Sequence, residues 1–166
     1  SNKIEENLHD FKLDIGFTYL DNEPIMSVEK LPLYKEKYFL VTNKKSYQSQ
    51  ISIPWSECHE IDLCLISPEN QFRRILDSIF LKKNISPKVL IESNSLIHLF
   101  SHVSFSNLST IVPGSFAKQF NFNPEISFLE LTSPSIFHQV GGVYIKDRGP
   151  SPIKDRFIKY LNSINK

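Results

Sequence analysis

Between residues 61 and 103 the chain repeats one pattern twice: a short apolar run, then a stretch with helical periodicity. The run at 61–66 is followed by a helix predicted from about 68 to 83, with Phe72, Ile75, Leu76, Ile79 and Phe80 on one face. A strand-like segment at 88–91 is followed by a helix from about 95 to 103. Strands that alternate with helices predict an α/β fold with a largely parallel sheet covered on both faces. Such folds hold ligands outside the carboxyl ends of their strands. Further strands are expected at 109–112, 125–131 and 140–146, and Pro113-Gly114 opens a short helical turn. Ser151-Pro152 starts a terminal helix whose apolar stripe is Ile153, Phe157, Tyr160, Leu161 and Ile164.

The first forty residues carry a second pattern. Ile4 and Leu8, four apart among charges, read as the last turns of a helix over 3–10. Phe11, Leu13, Ile15 and Phe17 then alternate with polar or small residues, which predicts a strand over 11–17. Gly16 is the strand position that a neighbouring backbone or a ligand can approach closely. A long polar loop follows, then a strand at 37–42. Residues 43–60 are polar, with Pro54-Trp55-Ser56-Glu57 as a short helical turn packed by its Trp. A helix that leads directly into an internal strand suggests a chain that begins mid-domain.

Several function classes lose support here. The net charge of +1, with both signs interspersed, gives no electrostatic footprint for nucleic acid or an anionic membrane. No apolar run approaches the roughly 18–20 residues that span a bilayer, and no signal-peptide pattern opens the chain. Cys58 and Cys64 are too few for a disulfide framework or a zinc site and read as reduced thiols. There is no Gly-x-Ser-x-Gly elbow and no His-Glu-x-x-His, and five glycines leave little room for a phosphate loop. No cofactor is expected.

Leu13-Asp-Ile-Gly-Phe-Thr-Tyr-Leu-Asp-Asn-Glu-Pro24, then Leu31-Pro-Leu-Tyr34, then Gly141-Gly-Val-Tyr-Ile-Lys-Asp147, stand in an order and spacing that resemble one family. It is the effector-binding domain of LysR-type transcriptional regulators, and the resemblance runs over essentially the whole chain. It implies a two-lobed α/β fold of the type 2 periplasmic-binding-protein kind. Residues 1–37 and 132–166 would form a first, incomplete lobe and 38–131 the second. The family usually begins with a strand, a helix and another strand before the segment matching Ile4–Leu8, so an N-terminally truncated domain is expected. Ser109-Thr-Ile-Val-Pro113 matches a family strand, but Ser106 and Leu108 replace the glycines that usually precede it.

Candidate ligand residues cluster at predicted strand ends. Ser67 is a good N-cap, Pro68 fits the first helical position and Glu69 suits the positive end of the dipole, with Asn70 beside them. Ser93-Asn94-Ser95 repeats the arrangement before the next helix. Two helix N-termini would then offer backbone N–H groups to an anion, unless both are ordinary caps. The resemblance favours a ligand, because the family binds its effectors in the cleft between lobes at these loops. By the same resemblance Thr18 and Tyr19 occupy the matching loop of the first lobe, and Thr110 lies beside the cleft. Tyr19 stands about where some members carry an arginine suited to a dicarboxylate. His98 and His102, four apart, have a spacing that can hold a metal, but the apolar face formed by Leu96, Leu99, Phe100 and Val103 turns both toward solvent. Arg73-Arg74 reads as surface charge, and Arg148 as a residue of the turn before the last helix.

These features together point to a non-enzymatic, cytoplasmic sensing domain with no metal site. A small organic effector would bind between the lobes and modulate DNA-binding domains that this chain does not carry. The resemblance implies homodimers, and tetramers for full-length regulators. A free-standing periplasmic-type solute-binding protein is the alternative, with a small α/β hydrolase or transferase using a Ser and His98 or His138 behind it.

Overall fold

The computed structural model describes residues 2–119, 124–146 and 151–164. The chain divides into two compact units, Ser1–Glu36 with His138–Lys166, and Lys37–Phe137. It passes from one unit to the other twice, at 36/37 and at 137/138.

In the first unit, helix α1 (Asn2–His9) precedes strands β1 (Gly16–Tyr19) and β2 (Glu29–Glu36). The segment joining α1 to β1 is not the strand that its alternation suggested. Phe11 has φ 60°, and the N–H groups of Lys12 and Leu13 both donate to the Asn7 carbonyl, at 2.8 and 3.0 Å. That left-handed turn closes α1 and leaves Phe11 two-thirds exposed, so pairing starts only at Gly16. A Cβ on Gly16 would collide with the side chain of Ile4, so it is α1 that uses the glycine's close approach. Ile4 packs there against a core of Leu8, Leu20, Ile25 and Val143.

The second unit holds β3 (Tyr38–Thr42), β4 (Ser52–Pro54), β5 (Asp62–Ile66), α2 (Gln71–Lys82), β6 (Lys88–Ser93), α3 (Leu96–Phe105), β7 (Thr110–Pro113), α4 (Gly114–Gln119) and β8 (Ser127–Thr132). The chain then returns to the first unit as β9 (His138–Tyr144) and helix α5 (Pro152–Ile164). Phe72, Ile75, Leu76, Ile79 and Phe80 of α2 are all buried, as their spacing required. Trp55, in a short 3-10 turn at Trp55–His59, is fully buried. Its ring meets Tyr38 at 5.8 Å and Phe80 at 6.2 Å between centroids.

The sheets are mostly antiparallel, which corrects the largely parallel arrangement expected above. In the first unit the order is β1-β9-β2, both outer strands antiparallel to β9. In the second, β4-β8-β3-β7 includes two antiparallel pairs, while β4–β8 and β5–β6 run parallel. A parallel bridge from Leu63 to Ser109 links β5 to the start of β7. The reason lies in the connections: β9 returns from the other unit and inserts between β1 and β2, a long-range pairing with no local sequence signal. β2 falls where the sequence suggests a long polar loop, and it contains Pro32. It is tolerated at a sheet edge, with a register shift between Pro32 and Tyr34. In α5, Leu161 is buried whereas Phe157 and Tyr160 are exposed; Arg148 and the side chains of Ile153 and Ile164 lie outside the described residues.

Candidate functional site

β5 and β6 run parallel with Ile66 opposite Ser93, so the residues that follow each strand emerge side by side. The backbone N–H of Ser67 donates to the Ser93 carbonyl at 2.9 Å, which brings the two predicted loops together. Ser67, Ser93 and Ser95 are half-buried, while Pro68, Glu69, Asn70 and Asn94 are exposed.

The caps differ from the expectation. α2 starts at Gln71, and its N-cap is Asn70, whose side chain accepts from the Phe72 N–H at 2.9 Å. Residues 67–70 form a turn before it, closed by Asn70 N–H to the Ser67 carbonyl at 3.0 Å. Ser67 and Pro68 therefore precede the helix. The helical pattern alone could not separate a cap at 67 from one at 70, since Ser and Asn are equally good caps. Glu69 is held below the usual carboxylate range, first by its own backbone N–H and then by the Ser67 hydroxyl. So the Phe72 N–H at the amino end of α2 serves Asn70, while the Glu69 carboxylate is held by the turn before the helix. Ser95 caps α3 with extended backbone but makes no side-chain cap bond, and its N–H donates to Ser93 Oγ at 3.2 Å. The two helix ends are thus chemically unequal: one shows a carboxylate, the other first-turn N–H groups without a side-chain cap.

Arg73 corrects a further expectation. It is only 9% exposed, and not surface charge. Nη1 donates to the Ile66 carbonyl at 3.0 Å and to Glu92 Oε1 at 2.6 Å, and Nε to Asp77 Oδ1 at 2.8 Å. Burial alone lowers the pKa of such a group, but the hydrogen bonds and charges of Asp77 and Glu92 outweigh it and raise it. Sequence spacing offered one clue, the i, i+4 pairing of Arg73 with Asp77; the contact with Glu92 is tertiary.

Thr110 lies at the amino end of β7, 1% exposed, one residue past the bridge between Leu63 and Ser109, and not at the strand end where Ser67 emerges. Among the described residues its hydroxyl has no oxygen or nitrogen partner, and it lies beside the Cys64 thiol. Beside it, Ser109 Oγ donates to Thr42 Oγ1 at 2.9 Å inside the unit. Ser106, standing for a glycine, has extended backbone (φ −142°). It donates its hydroxyl to the His102 carbonyl at 2.6 Å and accepts from Leu108 N–H at 3.2 Å. The side chain thus closes α3 without the left-handed backbone that a glycine would supply.

In the first unit, Thr18 is buried and Tyr19 half-buried at the carboxyl end of β1. Tyr19 meets His138 edge to face, with centroids 6.4 Å apart. Burial, then the nearby charges of Glu36 and Tyr34, push the Tyr19 phenol well above its ordinary range, so it is a neutral hydrogen-bonding group. A groove of about 530 Å³ beside α5, lined by Pro152, Arg156, Phe157 and Tyr160, had no signal in the sequence. His98 and His102 are exposed, and no group of three His, Cys, Asp or Glu placed to hold a metal occurs among the described residues. Nor does any described helix have the length and apolarity to cross a membrane.

The family model of the LysR substrate binding domain matches residues 1–164. The chain belongs to that family. LysR substrate binding domains have the type 2 periplasmic-binding-like fold and serve transcriptional regulators as effector-binding domains, which are not catalytic. Solved structures agree on the fold. The effector binding domain of QuiR in complex with shikimate is 22% identical with a TM-score of 0.80, over 99% of this chain and 78% of that one. The CcmR regulatory domain of Synechocystis PCC6803 in complex with 2-PG is 12% identical with a TM-score of 0.85, over 99% and 79%. Full-length CbnR complexed with its target DNA is 18% identical with a TM-score of 0.82; 99% of this chain matches 57% of that one.

Proposed function

We propose that this LysR substrate binding domain recognises a small organic effector through the 67–70 and 93–95 loops of its second unit. In the first unit we assign Thr18 and Tyr19 to the same task. The observation that carries the proposal is the bond from Ser67 N–H to the Ser93 carbonyl, which pairs two loops at strand carboxyl ends within a domain of an effector-binding family. The chemistry of the loops narrows the ligand. Glu69 presents an acceptor that favours a hydroxyl or ammonium donor, and the start of α3 presents donors that favour a carbonyl or carboxylate. A small hydroxy acid or amino acid carries both. QuiR and CcmR, of similar fold, are named in complex with shikimate and with 2-PG.

Effector binding shifts the population of domain arrangements and so biases DNA-binding domains elsewhere in a full regulator. We place this regulator in the cytoplasm, as a homodimer or higher oligomer without catalytic activity. The family match favours this over a solute-binding protein or a hydrolase.

A thermal-shift panel of hydroxy acids, amino acids, their amides and simple amines tests the assignment. A specific binder at about 100 times its Kd adds about 2.7 kcal/mol of stability. We expect Ser67→Ala and Asn94→Ala to weaken it at matched apo melting points. A stoichiometric binder indifferent to both substitutions would put the site elsewhere. With a net charge of +1, the domain alone should show no sequence-dependent gel shift at physiological salt.

A further inference from the structure

Arg73 is a permanently charged fork placed where β5, β6 and α2 meet. The carbonyl it binds, Ile66, immediately precedes Ser67, and the carboxylate it binds, Glu92, immediately precedes Ser93. One nitrogen, Nη1, therefore holds the last residue before each loop, while Nε is anchored on α2 through Asp77. β5 and β6 pair through their own backbone, with a register shift between Leu63 and Cys64 that loosens the ladder just below this point.

We propose that Arg73 is a positioning residue for the effector loops, fixing the carboxyl ends of β5 and β6 against α2 and so setting the spacing of 67–70 from 93–95. This rests on the assignment of those loops to the effector, but what Arg73 does to the loops can be read without any ligand. Its removal should act locally. Glu92 and Asp77 have side-chain exposures of 44% and 47%, so both carboxylates remain hydrated when the guanidinium is lost and no buried charge is stranded.

Amide hydrogen exchange measured residue by residue in the whole chain, without added ligand, tests this. The Ser67 amide, bonded to Ser93, reports the loops; the Cys64 amide, bonded to the Ser109 carbonyl at 2.9 Å, reports the same strand away from Arg73. In Arg73→Met we expect Ser67 to exchange at least tenfold faster relative to Cys64, with Arg73→Lys in between because an ammonium replaces only part of the fork. Glu92→Ala, which removes one tether and keeps the guanidinium, should accelerate the Ser95 amide, whose N–H bonds Ser93 Oγ, and provides the reading if Arg73→Met does not fold. Equal acceleration at Ser67 and Cys64, or none at either, overturns the proposal: the first makes Arg73 a general stabiliser of the unit and the second makes it dispensable. If the loops loosen as expected but no panel compound binds, the effector assignment fails and the positioning role stands.

Discussion

Gly141 of β9 lies so close to Leu31 of β2 that a Cβ on the glycine would overlap the Leu31 carbonyl oxygen. Gly142, its neighbour, would place a Cβ 3.8 Å from Ile15 Cγ2 and Leu31 Cβ, ordinary van der Waals contact. The two glycines of one motif therefore differ in kind. β9 is the central strand of the first unit, so the obstruction at Gly141 is backbone that cannot rotate aside.

Gly141→Ala should lower unfolding free energy by about 1–3 kcal/mol, the usual cost of forcing extra volume into packed structure. Gly142→Ala should be neutral or mildly stabilising, since a strand glycine loses more entropy than alanine. Urea titrations of both variants decide the matter; equal effects would contradict the close approach.

The cap assignment separates Asn70 from Ser67. Asn70→Ala removes the acceptor of the Phe72 N–H and should cost about 1 kcal/mol. Ser67→Ala leaves its bonded backbone N–H and carbonyl in place, loses only the hydroxyl's bond to the exposed Glu69, and should cost about 0.5 kcal/mol or less. A reversed ranking in denaturant melts would return the cap to Ser67.

Both thiols are buried, and burial is the main reason they titrate high, Cys58 at about 12 with the charge of Glu57 adding to it and Cys64 at about 11, against an ordinary value of 9.0. A thiol-specific reagent at pH 8 should label neither in the native protein and both in urea. The unfolded chain releases these protons first, so the stability they contribute is whole below about pH 9 and is lost as pH rises through 11 and 12. Each thiol contributes up to about 1.4 kcal/mol per pH unit across that window. Cys58→Ala should therefore show a shallower decline between pH 9 and 11 than the parent, whatever its stability at pH 7.

For a compound that binds in the thermal-shift panel, Tyr19→Phe should weaken affinity several-fold. A hydrogen bond from a neutral phenol contributes roughly 0.5–1.5 kcal/mol, and the ring that meets His138 is retained. The loss should be independent of pH between 6 and 9, because the phenol stays protonated throughout. Calorimetric titration at three pH values provides the check.

Local pattern was enough for much of this protein. The spacing of Phe72, Ile75, Leu76, Ile79 and Phe80 specified α2 and its buried face, because a helix repeats every 3.6 residues whatever it packs against. Leu99 and Val103 specified the buried side of α3 and left His98 and His102 outside in the same way. The family was legible as well, through ordered motifs from Leu13 to Asp147. Pairing between distant segments was not. The insertion of β9 between β1 and β2 joins residues more than a hundred positions apart, and the strand hidden in Glu29–Glu36 exists because that partner arrives. The alternation at Phe11 and Leu13 lost to a left-handed turn that satisfies the end of α1. Arg73 shows the same division within the candidate site. Its sequence neighbours mark it as helix surface, and only the fold carries Ile66 and Glu92 to it, turning a residue of the polar pattern into a buried fork between two loops. Sequence fixes what each segment repeats; tertiary structure decides which groups meet, since hydrogen bonds and charges act over a few ångströms of space and not along the chain.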